Sequence, residues 1–176
     1  MVQQSIYLAG PDVFWPNATE LGAAKKVLCE QYGFTGHFPL DNEIDLSQLS
    51  PFEAGIRIYQ ANIGLMNHCD LIIANMTPFR GPSMDVGSAF EMGYMAAQNK
   101  PVWGYTLDGR LYSDRIEGTA TDQDGFSIES FSMADNLMMV GATDARGGLL
   151  TEPMAETLDN HLRLFEKVLQ QIQKNR

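Results

Sequence analysis

The chain has little of what binds a polyanion: 12 Lys and Arg stand against 22 Asp and Glu, a formal charge of -10 over 176 residues. Affinity for nucleic acid rests on cations that neutralise phosphates, so nucleic acid polymers and anionic membrane surfaces are not expected partners. Cysteine is almost as scarce. Cys29 and Cys69 form no spaced framework and are expected as free, buried thiols. His37, His68 and His161 are scattered, and His68-Cys69-Asp70 lacks a matching second ligand pair, which argues against a metal centre. No apolar run approaches the roughly 20 residues that span a bilayer, and the first residues show no basic region ahead of an apolar core. A cytoplasmic location is expected. Internal repeats and low-complexity tracts are also missing.

What is present suits one globular domain over residues 1–176, with 44% hydrophobic and 19% charged residues. Short apolar runs at 5–9, 34–39, 70–75 and 101–105 read as strands, and segments of helical spacing separate them. A helix over 17–31 carries Leu21, Ala24, Val27 and Leu28. A second opens at Pro51 and directs Ile56, Tyr59, Ile63 and Met66 toward the core. A third covers about 88–98, and a C-terminal one 152–173. This alternation predicts an α/β fold, a doubly wound and mostly parallel five-stranded sheet flanked by helices. Residues 107–150 interrupt the rhythm with an irregular excursion, in which the island Asn136-Leu137-Met138-Met139-Val140 is expected to supply the fifth strand.

Residues 85–94, Asp85-Val86-Gly87-Ser88-Ala89-Phe90-Glu91-Met92-Gly93-Tyr94, place two carboxylates six apart where a helix begins. Such a helix start follows a strand and a Pro/Gly-punctuated loop, the setting in which open α/β sheets bind ligands. Ser88 with Glu91 also satisfies the capping-box pattern, and Asp85 could be a loop or capping residue. Further polar clusters fall near strand ends: Tyr7 with Asp12, Asp41 to Glu43, and Asp135 with Asn136.

In order along the chain, Tyr7-Leu8-Ala9-Gly10-Pro11, Pro39-Leu40-Asp41-Asn42, Cys69-Asp70-Leu71-Ile72-Ile73-Ala74, Pro78-Phe79-Arg80-Gly81, the 85–93 segment and Asn136-Leu137-Met138 resemble the nucleoside 2-deoxyribosyltransferase family. The resemblance implies a flavodoxin-like sheet and an enzyme that moves 2-deoxyribose between purine and pyrimidine bases without a cofactor. Glu91 would be the nucleophile at C1′, with Tyr7 orienting it and Asp85 binding the sugar hydroxyls. Asn136 would reach from a neighbouring subunit to the 5′-hydroxyl, with Met138 lining the shared pocket. Homo-oligomers follow, either a dimer or a trimer of dimers. A helix N-terminus and a Tyr7 hydrogen bond are expected to favour ionised Glu91.

Departure of a nucleobase leaves oxocarbenium-like character on the sugar, which an adjacent carboxylate both stabilises and traps, as in retaining glycosidases. At the base end, some family members carry an Asp where this chain has Asn62, and an amide donates hydrogen bonds but is a poor acid. Asp41 and Glu43 are candidates for meeting the base, or else solvated loop acids. Phe14 and Trp15 could stack on it, or simply pack. Gly10, in the loop that ends the first strand, is a further substrate-binding candidate implied by the resemblance. Arg80 reads as a surface residue and Asp70 as a helix-to-strand boundary.

Two further readings remain open at this stage. One is an N-glycoside hydrolase of deoxynucleosides or their monophosphates, although the candidate site is poor in the cationic groups that a phosphate requires. The other is a non-catalytic nucleoside-sensing module, because fold alone does not fix function.

Overall fold

Five runs rich in β-branched and aromatic residues form the sheet of the computed structural model, which describes residues 3–42 and 44–175. The strands are β1 (Gln4–Ala9), β2 (Phe34–His37), β3 (Leu71–Asn75), β4 (Val102–Thr106) and β5 (Gly148–Thr151), in the order β2-β1-β3-β4-β5. Every neighbouring pair is parallel. The connections are α1 (Ala18–Gln31), α2 (Pro51–His68), α3 (Val86–Ala97) and α4 (Leu137–Arg146), and α5 (Leu158–Lys174) closes the chain. This is the flavodoxin-like order, with its switch point between β1 and β3.

Alternation along β1 sends Ile6 and Leu8 to one face of the sheet and Tyr7 and Ala9 to the other. Ile6 and Leu8 join Phe34, Ile73 and Tyr105 beneath Phe165 and Leu169 of α5. Tyr7 and Ala9 join Ile72 and Ala74 beneath Met66 of α2 and Met92 and Met95 of α3. Cys29 and Cys69 are free and buried. Among the described residues, no helix is long and apolar enough to cross a membrane.

Three expectations need correction. The island at 136–140 is not the fifth strand but the start of α4, with the Asn136 side chain accepting from the Met138 amide at 3.0 Å. β5 follows at Gly148, so the irregular excursion ends near 136. Its one regular piece besides turns is a 3-10 turn at Ser113–Arg115. The C-terminal helix begins at Leu158 rather than 152, capped by Thr157. Finally, α2 does not turn its whole apolar stripe inward: Met66 is buried, whereas Ile56 and Tyr59 are 41% and 51% exposed. The C-terminal end of this helix leans on the sheet, whereas Ile58 and Tyr59 in its middle line a groove shared with α3.

Gly10 ends β1 with φ +147°, and a Cβ there would lie 2.7 Å from the Asn75 Cβ and 2.8 Å from an Asp12 carboxylate oxygen. Both the backbone angle and the space demand glycine. Gly10→Ala is expected to cost about 2 kcal/mol or more in urea unfolding; a cost below ~0.5 kcal/mol would show that the loop relaxes freely.

Candidate active site

Asp85, not Ser88, caps α3. Its carboxylate accepts from the Ser88 amide and the Ser88 hydroxyl, each at 2.9 Å, and the helix begins at Val86. The capping-box reading of Ser88 and Glu91 is thereby excluded, and Glu91 is released for another partner. A true capping box stands instead at the start of α2. There Ser50 Oγ accepts from the Glu53 amide, and the Glu53 carboxylate accepts from the Ser50 amide at 2.8 Å.

Tyr7 projects from β1 on the α2/α3 side of the sheet, fully buried, and its hydroxyl donates to Glu91 Oε1 at 2.5 Å. Glu91, in the second turn of α3, opens onto a groove of about 380 Å³ between α2 and α3. Asn62, Ile63 and Met66 of α2 and Gly87 and Phe90 of α3 line it, with Tyr59 toward its outer end. Tyr59 and Phe90 form an aromatic wall of the groove, ring centroids 6.1 Å apart, and Tyr94, outside the lining, stacks on Phe90 at 6.2 Å. The sequence reading missed this wall, having assigned Tyr59 to the core. Phe90, beside Glu91 and four residues before Tyr94 on the same face, is the signal that could have found it.

Burial dominates the electrostatics. It pushes the Glu91 carboxyl up to about 7, helped by the Asp85 charge and opposed by the Tyr7 hydrogen bond. The Tyr7 hydrogen bond favours ionised Glu91 as expected, but the net shift is upward: Glu91 is the sixth residue of its helix, beyond the dipole's reach, and desolvation exceeds one hydrogen bond. Burial and the Glu91 charge hold the Tyr7 hydroxyl well above the ordinary phenol range, so it remains a donor.

The other candidates fall at graded distances from this pair. Asn62 faces the groove, its side-chain oxygen accepting from Asn42 at 3.3 Å. Asp41 is committed elsewhere, paired with Lys26 at 2.6 Å and accepting from the Phe38 amide at 3.0 Å. Glu43 lies outside the described residues. Phe14 stacks on Phe79 at 5.4 Å with the Arg80 guanidinium over both rings, and is not part of the groove lining. Trp15 packs edge-on against His161. Asn136 Nδ2 donates to Glu129, and Met138 is 66% exposed; within one chain, neither joins the groove. Asp70 stitches the start of β3 to β1, accepting from the Ser5 amide at 2.8 Å.

On the opposite face of the sheet lies a polar cluster that the sequence did not announce. Buried Lys25 donates to Asp12 at 2.6 Å and to the Tyr105 hydroxyl at 2.8 Å, while Asn75 donates to Asp12 and to His161 Nδ1. The bond from Asn75 makes Nδ1 the acceptor and leaves the proton on Nε2. His161 is thus neutral, with burial pushing its pKa down to about 4.

Residues 6–138 match the sequence profile described as nucleoside 2-deoxyribosyltransferase. The chain belongs to the nucleoside 2-deoxyribosyltransferase family. An uncharacterized protein of Schizosaccharomyces pombe is 35% identical, over 82% of this chain and 79% of its own length. Among solved structures, the 2-desoxiribosyltransferase from Leishmania mexicana superposes with a TM-score of 0.71 at 29% identity, covering 95% of this chain and 97% of that one. The 2-deoxyribosyltransferase from Bacillus psychrosaccharolyticus shares the fold, with a TM-score of 0.51 at 18% identity over 74% and 96% of the two chains. Within this family frame, the Tyr7–Glu91 pair joins a fully buried phenol to a carboxylate of raised pKa that lines an apolar groove.

Proposed function

We propose that the chain is a nucleoside 2-deoxyribosyltransferase that exchanges purine and pyrimidine bases on 2-deoxyribose by double displacement through a glycosyl-Glu91 ester. The observation that carries this reading is the Tyr7 hydroxyl at 2.5 Å from a carboxylate that opens onto an aromatic-walled groove. In the first step, a Glu91 oxygen bonds to C1′ as the C1′–N bond breaks, and the electron pair leaves with the base, which takes up a proton. In the second, a ring nitrogen of the incoming base attacks C1′ from the opposite face, the ester C–O bond breaks, and that base releases its proton as the carboxylate is restored. Two inversions leave the configuration unchanged.

Asn62 meets the base from the groove wall, and Gly10 lets the backbone come close. Asp85 and Asn136 hold the 5′-hydroxyl. The family resemblance assigns Asn136 and Met138 to the site of a neighbouring copy, in a dimer or a trimer of dimers, and their position outside the groove of their own chain is compatible with that role. Exposed Phe52, Tyr59, Val86, Phe90 and Met138 supply an apolar surface suited to such an assembly.

Purified protein mixed with 2′-deoxyinosine and adenine should form 2′-deoxyadenosine, read by chromatography. Free hypoxanthine without new nucleoside indicates a hydrolase, and no conversion of any base pair indicates a binding module. Activity should also follow the ionisation of Glu91, so kcat/KM falls as pH drops below about 7. Tyr7→Phe removes the hydrogen bond that favours the charged form. This should move the acid limb to higher pH and lower kcat/KM at pH 7 roughly tenfold; a limb that moves to lower pH would contradict the assignment.

A further inference from the structure

The excursion after β4 holds a buried ion pair that the reading above does not use. Arg115 and Asp135 have side chains only 2% and 1% exposed, and their charged groups lie 3.6 Å apart. Arg115 donates to the backbone carbonyls of Pro82, Arg110 and Ala134, and also lies beside the Asp108 carboxylate at 3.4 Å. Asp135 accepts from the Ser83 hydroxyl at 2.5 Å, the Met84 amide at 3.0 Å and the Asn136 amide at 2.8 Å. Three stretches of chain remote in sequence, at 82–84, 108–115 and 134–136, therefore meet on two side chains.

What those stretches lead into gives the pair its meaning. Met84 immediately precedes Asp85, the cap of α3. Asp135 immediately precedes Asn136, the cap of α4. One carboxylate thus grips the backbone next to both residues assigned to the 5′-hydroxyl. Buried ion pairs add little net stability, so a pair with this much backbone attached is better explained by the geometry it fixes. The planar guanidinium spreads its donors over two terminal nitrogens to reach three separate carbonyls, a fork whose geometry the compact ammonium of lysine does not reproduce.

We infer that Arg115 and Asp135 are positioning residues, a clamp that sets Asp85 for the site of its own chain and Asn136 for the site of the neighbouring copy, so that each can hold a sugar 5′-hydroxyl. The inference rests on the transferase reading above and concerns a different set of residues. It is tested by comparing two donors, 2′-deoxyinosine and 2′,5′-dideoxyinosine, with adenine as acceptor, in wild type, Asp135→Asn and Arg115→Lys. The dideoxy donor lacks the group that Asp85 and Asn136 hold. Loss of register should therefore lower kcat/KM for 2′-deoxyinosine at least tenfold, mainly through KM, and lower the dideoxy rate by less than twofold. Equal losses on both donors, or no loss on either, overturn the inference. Circular dichroism and thermal unfolding of each variant establish that it is folded; should Asp135→Asn fail to fold, Arg115→Lys, which keeps the charge and loses the fork, decides alone by the same ratio. If wild type exchanges no base, the transferase reading has failed. The clamp is then judged by calorimetric Kd values of the two nucleosides, where a hydroxyl-dependent loss in the variants supports it and equal affinities overturn it.

Discussion

Glu91→Gln is expected to abolish base exchange, lowering kcat roughly 10³- to 10⁶-fold, because an amide cannot attack C1′ and the remaining site offers only binding. Glu91→Asp keeps the charge but withdraws it by one methylene, and a displacement near 1 Å in a reacting group costs about 10²-fold. The same substitution to glutamine should leave a more stable protein at alkaline pH. The carboxyl titrates near 7 in the folded chain against 4.5 unfolded, so the folded state holds the proton more tightly. Stability therefore falls as pH rises from about 4.5 through 7, and above that the buried charge costs about 3 kcal/mol. Glu91→Gln should recover up to that amount at pH 8 and very little at pH 4, as measured by urea unfolding at both pH values. A variant that loses activity without this pH-dependent gain would show that Glu91 is not held against the cost of burial. An active site that is destabilising in its working form is what a desolvated nucleophile requires.

The largest loss of stability is expected on the other face of the sheet, at Lys25→Met. The methionine keeps an unbranched stem but loses the ammonium, which lies 5.3 Å from the Tyr105 ring centroid and 5.2 Å from that of Phe165, and leaves Asp12, itself fully buried, with Asn75 as its remaining side-chain donor. Removing one partner of a buried pair costs about 3 to 5 kcal/mol. For a chain of this size that lowers Tm by on the order of 10 °C. The double variant Asp12→Asn, Lys25→Met leaves no unpaired charge and should recover much of the loss. A single-variant cost below 1 kcal/mol would mean that water reaches Asp12. Because Asp12 and Asn75 both press on Gly10, this cluster also fixes the loop that leaves β1.

These two networks show which parts of the molecule were legible in the sequence. β1, β3 and β4 were, because strands buried on both faces read as continuous apolar runs. β5 was not: Gly148-Leu149-Leu150-Thr151 is a four-residue edge strand, partly exposed, whereas the apolar island at 136–140 matched a strand and a helix start equally well. The apolar stripe of α2 was visible but partly misdirected, since periodicity marks an apolar face without saying whether the core or a groove receives it. Tyr7 and Glu91 lie 84 residues apart, and only the resemblance of the flanking motifs joined them before the fold did. No local pattern could have paired Lys25 with Asp12, or Arg115 with Asp135, because those bonds exist only once the sheet is wound. The direction of the Glu91 shift was missed for the same reason: desolvation is a property of the packed groove, and the sequence displayed only the helix and the hydrogen-bonding partner.

The most direct test of the account is the covalent intermediate itself. Protein mixed with 2′-deoxyinosine in the absence of an acceptor base, quenched in acid and digested, should yield a peptide containing Glu91 that is heavier by one 2-deoxyribosyl group, and Glu91→Gln should yield none. Base exchange in wild type without such an adduct, or an adduct carried by any other residue, would contradict the assignment of Glu91 as the nucleophile.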